Sequence, residues 1–425
     1  MMKYKSRICD IQLKEILDSK GAVLIEGPKW CGKTTTAEQV AKSILYFDDP
    51  ETKESNLFQA QTQVKRLLAG ANPRLIDEWQ LAPQIWDAVR YDVDHDATLG
   101  KFILTGSSVP ADKSEVSHSG TGRFAWLTMR PMSLWESGES SGEVKLSDLF
   151  AGNFELGAAK KCEIDDIAFM ACRGGWPAAV GMKERAALRQ AFDYVDAVTR
   201  IDISRVDGVR RDPELAARLM RSLARLQGTQ APVGTIRADM AANETSDFHE
   251  NTVYSYIGAL KKIFVIEDMP AWNPNLRSKV AIRTSDNRYF IDPSIATASL
   301  GLGPKDLMGD LNTFGLVFET LAARDLRVYA EALDGKVYHY RDSSGLECDA
   351  VVHLRNGSYG LIEVKLGGEK LVAEGIQNLK QFDDKLIDTS KMKTPSFKMV
   401  LTAVGQSAYR TPDGIIVCPI TALGM

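Results

Sequence analysis

Residues 22–35 read AVLIEGPKWCGKTT, an apolar run followed by a glycine-bounded loop, a lysine and two threonines. Gly27, Gly32, Lys33 and Thr34 complete the spacing GxxxxGK[ST], with an expected strand over residues 22–25 before the loop and an expected helix running to residue 41 after it. Anion chemistry explains the order. Glycines let backbone N–H groups curl around phosphate oxygens, the start of a helix adds positive potential, the lysine reaches the outer phosphates, and the threonine hydroxyl ligates magnesium. A glycine turn with an unrelated lysine is the plain alternative, and the strand and helix flanks argue against it. The loop is expected to hold the phosphates of a nucleotide and its Mg2+ through Gly27, Pro28, Lys29, Trp30, Cys31, Gly32, Lys33, Thr34 and Thr35.

Further apolar runs at 44–47, 74–76 and 101–104 alternate with helical stretches, as in a parallel sheet with crossover helices. The expected fold of this part is therefore an α/β P-loop nucleotide-binding domain. In RLIDEWQ, residues 74–80, the second of these runs ends on Asp77 and Glu78. Asp77 is placed to hold the magnesium shell with Thr34, and Glu78 to orient or deprotonate the attacking water. A solvated strand end is the plain reading of that pair, outweighed by its position some forty residues after the loop. FILTGSS, residues 102–108, sets Thr105, Ser107 and Ser108 at the end of the next strand, and Ser107 is taken as the nucleotide-sensing hydroxyl. Arg123 in TGRFAW and Arg130 in MRPMSLWE offer guanidinium groups to phosphate, from this chain or a neighbouring subunit, with Arg123 favoured. The catalytic set is thus Lys33, Glu78 and Arg123. Residues 108–122, rich in Ser, Gly and His, read as a mobile loop over the carboxyl ends of the strands.

The 425 residues are 44% hydrophobic and 25% charged, an ordinary globular composition too long for one core, so two or three domains are expected. A formal net charge of -4 gives no global attraction to nucleic acid and excludes no local basic face. Six scattered cysteines form neither a zinc pattern nor a disulfide framework and point to a reducing compartment. With no signal-like or membrane-spanning run, the expected location is the cytoplasm.

Residues 160–270 read as mainly helical. The order 233–240, 252–262 and 263–266, two helices and a strand, fits a winged-helix unit. Seven arginines, at 200, 205, 210, 211, 218, 221 and 225, form either a DNA-facing surface or a solvated face whose interleaved acids pair with them. From residue 305 on, a helix over 314–328 and strands at 336–340, 348–354, 359–366, 398–402 and 415–419 read as a separate α/β domain. The expected boundaries are 1–140, 141–304 and 305–425.

With GPKWCGKTT, YFDDP, LIDEWQ, FILTGSS, GRFAWLTMRPMSLWE and RGGWP in this order, the chain resembles a family of prokaryotic AAA-type P-loop ATPases. Members join such a domain to a C-terminal domain of unassigned function that is similar to PD-(D/E)XK nucleases. The resemblance spans nearly the whole chain and departs at Trp30 and Cys31, where members usually carry smaller or polar residues. It implies ATP and Mg2+ as cofactors, Asp77 and Glu78 as the acidic pair, a winged-helix segment between the two domains, and a restriction-endonuclease-like C-terminal fold.

The same resemblance gives Asp349, Glu363 and Lys365 in YRDSSGLECDAVVHLRNGSYGLIEVKL a nuclease-like role, two carboxylates for a divalent metal and a lysine for phosphate charge. Glu319 and Gln377 match supporting helix positions. Hairpin parity tests the idea. A two-residue turn at Asn356 and Gly357 would put Asp349 and Glu363 on opposite faces, whereas a three-residue loop over 356–358 sets Asp349 opposite Lys365 and diagonal to Glu363. The longer loop is expected. A solvated hairpin with a cross-face ion pair is the plain alternative.

Three readings result. The first is an ATP-hydrolysing protein coupling nucleotide state to a DNA-binding or nuclease-like C-terminal part. The second is a metal-dependent nuclease gated by ATP, and the third a regulatory nucleotide-binding protein whose degenerate nuclease-like domain makes partner contacts. ATP is the expected partner, with DNA, a second copy of the chain or another protein left open, and no membrane.

Overall fold

The computed structural model describes residues 4–107, 122–242, 248–273, 285–385, 387 and 392–425. It divides into two compact units, the first comprising Met1–Pro131, Arg200–Asp212 and Ile257–Val265, the second Met132–Thr199, Pro213–Tyr256 and Ile266–Met425. The stretch between residues 141 and 304 is shared between the two units. No described helix is long and apolar enough to cross a membrane.

The first unit is built on five parallel strands, β1 (Ala22–Glu26), β2 (Ser43–Tyr46), β3 (Arg74–Asp77), β4 (Phe102–Gly106) and β5 (Phe124–Thr128), in the order β2-β3-β4-β1-β5. Alternate residues of the inner strands feed two cores, which is why they are apolar throughout. Leu24, Ile76 and Leu104 pack with Trp79, Trp86 and Phe124 on one face. Val23, Ile25, Leu75 and Ile103 pack with Leu13, Leu17 and Ala37 on the other. Parallel pairing sets Asp77 beside Thr105 and Glu26 beside Gly106, so the segments following β1, β3 and β4 leave the sheet at one edge. The expected loop over residues 108–122 lies almost entirely outside the described residues, and Ser108 with it.

In the second unit, a short strand β6 (Val144–Lys145) pairs in parallel with the last one, β15 (Leu423–Gly424). Helices Pro213–Arg225, Val233–Ala241 and Glu250–Lys262 precede an antiparallel pair, β7 (Ile266–Met269) and β8 (Asn287–Phe290). The division between units passes through the third of these helices. A six-stranded mixed sheet follows: β9 (Gly335–Arg341), β10 (Glu347–Leu354), β11 (Tyr359–Lys365), β12 (Phe397–Thr402), β13 (Tyr409–Arg410) and β14 (Ile416–Pro419), ordered β13-β14-β12-β11-β10-β9. Helix Leu311–Ala332 packs on β9, β10 and β11, and helix Glu369–Lys385 on β11 and β12.

A charged knot lies within the apolar interior of this unit. Arg324 (1% side-chain exposure) pairs with Asp292 at 3.0 Å and with Asp325 at 2.7 Å, both carboxylates being fully buried. Asp292 also accepts from the Gly175 amide at 2.9 Å and the Ser294 hydroxyl at 2.6 Å, and Asp325 accepts from the Leu134 amide at 2.9 Å. Trp176 donates its indole N–H to Ser294 at 2.9 Å. Gly175 and Trp176 of RGGWP and Leu134 of MRPMSLWE are therefore packed around one buried cation.

Candidate functional site

The loop after β1 takes backbone conformations that its glycines permit. Gly27 has φ +151°, and a Cβ there would lie 2.1 Å from the Met129 carbonyl oxygen; Gly32 has φ +101°. Trp30 adopts the left-handed region without being glycine, at φ +66°, and is half exposed. The buried Lys33 donates from Nζ to the carbonyl oxygens of Gly27 (3.0 Å) and Pro28 (2.8 Å), so its ammonium lies across the turn that precedes it. Helix Lys33–Glu38 has only six residues, with further turns closing at Val40 and Ala41, so loop amides and Lys33 dominate the local charge more than a long helix axis does. Arg7, which no motif marked, holds the back of the loop by donating to the Cys31 carbonyl at 2.9 Å and to the Arg130 carbonyl at 2.8 Å.

The acidic pair meets the loop. Thr34 Oγ1 donates to Asp77 Oδ1 at 2.8 Å, and the buried Thr105 hydroxyl donates to the same oxygen. Thr105 therefore positions Asp77. Burial raises the Asp77 carboxyl above its ordinary value, opposed by those two hydroxyls. Glu78 sits in the left-handed region at φ +54°, which turns the chain sharply after β3. Its Oε2 accepts from Gln80 Nε2 and, at 3.4 Å, from the Ser107 hydroxyl. Burial, then the neighbouring charge of Asp77, raises the Glu78 carboxyl, which makes it a stronger base than a solvated glutamate. Gln80 was invisible in the sequence because nothing in LIDEWQ distinguishes a side chain that folds back two residues.

Arg123 is not brought to this edge within the chain. Its carbonyl accepts from the Ala22 amide at the amino end of β1, and its guanidinium pairs with Asp94 at 2.5 Å. The physical reason is strand direction: β5 runs parallel to β1, so the residue that precedes β5 lies a strand length from the loop that follows β1. Arg130 follows β5 and is at the loop's edge, where its carbonyl receives Arg7.

The C-terminal residues converge, in a register one residue from the expected one. The β10–β11 hairpin closes through Leu354 and Ser358 around Arg355, Asn356 and Gly357, with Gly357 at φ +83°. The loop has three residues but is 355–357 and not 356–358. The ladder Ala350↔Ile362, extended by one residue, therefore sets Asp349 across from Glu363 and not across from Lys365. The even count still keeps them on one face. A bulge on β10 between Cys348 and Val351 helps to aim Asp349. Lys365 Nζ lies 2.8 Å from Glu363 Oε2 and 3.3 Å from Asp349 Oδ2, and Asp349 Oδ2 also accepts the Val364 amide at 2.8 Å. Asn378, and not the exposed Gln377, donates to Glu363 Oε1 at 2.8 Å. Glu319 accepts from the Tyr289 hydroxyl. Burial, reinforced by the charge of Asp349, raises the carboxyls of both Glu319 and Glu363. Among the described residues, no group of three or more His, Cys, Asp or Glu is placed to hold a metal ion.

Several arginines of the basic stretch are engaged by acids. Arg211 is buried against Asp207, Arg225 pairs with Asp239 at 2.5 Å, and Arg218 lies 3.8 Å from Glu214. These pairs favour the solvated-face explanation over a phosphate-binding surface.

Three successive parts of the chain match known domains. Residues 19–137 match the AAA domain. The first unit accordingly carries an AAA-type P-loop domain on a parallel sheet. Residues 164–306 and 314–423 match two domains of unknown function, DUF8612 and DUF4143. Uncharacterized proteins of Mycobacterium tuberculosis and Mycobacterium bovis are each 23% identical over 369 residues, spanning 86% of this chain and 74% of theirs. Among solved structures, the Walker-type ATPase of Pyrococcus abyssi is similar with a TM-score of 0.42 and 14% identity, over 70% of this chain and 99% of that one.

Proposed function

We propose that the chain is an ATP-hydrolysing switch whose nucleotide site is the edge formed by residues 27–35, Asp77, Glu78 and Ser107. The observation that carries this reading is the 2.8 Å bond from Thr34 to Asp77, which joins the phosphate loop to the acidic strand. Two hard oxygen donors side by side fit Mg2+, and Thr34 and Asp77 are the residues that would hold it; the ion would supply charge neutralisation for the β and γ phosphates. Loop amides and Lys33 bind the triphosphate, with Lys33 exchanging the Gly27 and Pro28 carbonyls for phosphate oxygens. Thr105 keeps Asp77 in place. Glu78, made more basic by burial and fixed by Gln80, orients the attacking water and accepts its proton, while Ser107 holds the same carboxylate from the next strand.

The test is nucleotide binding and turnover in the full chain. Lys33→Ala abolishes tight ATP binding, and Glu78→Gln keeps binding while lowering turnover by roughly a hundredfold or more. Retained hydrolysis in both variants would overturn the assignment.

A second reading, metal-dependent phosphodiester cleavage on a nuclease-like C-terminal sheet, is favoured by the gathering of Asp349, Glu363 and Lys365. It is opposed by the closure of that cluster, since Lys365 and Asn378 already occupy the Glu363 oxygens. The residues therefore fit a self-neutralised ion cluster better than a metal centre, which favours a domain that makes partner contacts. Incubation with plasmid DNA and Mg2+, with and without ATP, decides the matter: nicking that disappears in Asp349→Ala would establish the nuclease. The winged-helix reading of residues 233–266 is likewise a proposal, supported by helices Val233–Ala241 and Glu250–Lys262 standing before strand β7.

A further inference from the structure

We infer that the ion pair between Lys29 and Asp202 is a phosphate-sensitive latch. The terminal phosphate of a nucleoside triphosphate takes the Lys29 ammonium from Asp202 and frees the segment Arg200–Asp212. The inference rests on the nucleotide reading of the loop and adds a second phosphate-responsive cation together with the group that restrains it.

Lys29 stands inside the phosphate loop, and the carbonyl of Pro28, the residue before it, accepts Lys33 Nζ at 2.8 Å. The two lysines thus meet at one peptide. Lys29 Nζ does not turn to the loop's own oxygens but reaches 2.6 Å to Asp202 Oδ1, across 173 residues of sequence. The two ends of the pair differ. The Lys29 side chain is 45% exposed, whereas that of Asp202 is only 11% exposed. A carboxylate so withdrawn from water depends on its cation more than a surface acid does. A terminal phosphate carries more negative charge than a carboxylate and offers three acceptor oxygens, so it competes strongly for the same ammonium.

The position of Asp202 gives the exchange a consequence. It closes the wide helical turn Val198–Asp202, a kind of turn found often at functional sites. It belongs to Arg200–Asp212, which packs with the first unit although the residues on both sides of it in the chain, Thr199 and Pro213, belong to the second. That segment is stapled internally. Arg211 donates to both Asp207 oxygens and, at 2.7 Å, to the Ile203 carbonyl, and its amide donates to the Ser204 hydroxyl oxygen at 3.0 Å. A segment tied in this way responds as a body when Asp202 loses its partner.

The experiment uses the full chain, a fluorescent ADP, and a non-hydrolysable ATP analogue bearing the same fluorophore. Asp202→Asn removes the competitor, so affinity for the triphosphate analogue rises by roughly three- to tenfold while that for ADP stays the same. Lys29→Gln abolishes that gain in the double variant and lowers the wild-type preference for triphosphate; Lys29→Arg preserves it. Amide hydrogen exchange over residues 200–212 accelerates on adding the triphosphate analogue to the wild type and is already fast in Asp202→Asn. An equal change for both nucleotides in Asp202→Asn, or exchange over 200–212 indifferent to nucleotide, overturns the latch. Wild-type affinity that survives Lys33→Ala would instead overturn the parent reading of the loop, so the two failures are separable.

Discussion

Replacing Arg324 by methionine leaves Asp292 and Asp325 buried without their cation, and the second unit loses stability in proportion. Both carboxylates are fully buried, and the remaining donors to them are the neutral amides of Gly175, Ser294 and Leu134 and the Ser294 hydroxyl. Breaking a buried ion pair from one side costs about 3 to 5 kcal/mol. The unit has roughly 270 residues, which at about 2.1 cal/mol/K each gives an unfolding entropy of about 0.57 kcal/mol/K. The expected fall in Tm is therefore about 5 to 9 °C, read by differential scanning calorimetry of the full chain. Neutralising the acids together with the arginine, in Arg324→Met with Asp292→Asn and Asp325→Asn, recovers part of the loss, because no unpaired charge then stays buried. A fall below about 2 °C in the single variant, or a triple variant worse than the single one, would refute the reasoning.

Gly27→Ala forces a methyl toward the Met129 carbonyl in a backbone region hostile to side chains and weakens nucleotide binding by roughly ten- to a hundredfold, whereas Gly258→Ala, where the described residues leave room for a methyl, leaves binding unchanged; equal affinities by fluorescence titration would contradict this. Glu363 holds its proton more tightly folded, at a value pushed up to about 8, than unfolded at 4.5, so the native state binds the extra proton between those limits and stability falls as pH rises through the window. Glu363→Gln flattens that slope of Tm between pH 5 and 8, and an unchanged slope would remove Glu363 as its source. Arg123→Ala removes an exposed pair with Asp94 and leaves ATP affinity the same; a tenfold loss of turnover in a monomeric preparation would show a phosphate contact the strand direction does not provide.

The loop and the acidic pair were legible because their chemistry is local: glycines, a lysine and a threonine at fixed spacing, then two acids at the end of an apolar run. Strand order was not legible. Inner parallel strands are apolar on both faces, so nothing in ILY, LI or FIL tells β3 to pair with β4 and leave β1 one place further off, which is what brings Thr105 to Asp77. The position of Arg123 within the chain was not legible for a related reason: without β5 recognised at Phe124–Thr128, the arginine seemed free to reach the loop of its own chain, and only a strand beginning there fixes it at the far edge. In the C-terminal hairpin, both Asn356 and Gly357 tolerate turn conformations, so the parity of the loop was readable and its placement slipped by one residue. The Arg324 knot joins positions 134, 175, 292 and 325, which no short motif spans.

The pairing of β15 with β6 governs when this protein can finish folding. Leu423 and Gly424 lie beside Val144 and Lys145, and the buried Leu423 carbonyl receives the Ser140 hydroxyl at 2.7 Å. A ribosome adding about 5 to 20 residues per second needs roughly 15 to 55 s to pass from the first of these strands to the second. For that interval Val144 and Lys145 wait without the strand they pair with. The AAA-type sheet is complete by residue 128 and the later segments of its unit, Arg200–Asp212 and Ile257–Val265, by residue 265, so nascent chains acquire nucleotide binding before the remainder resists protease.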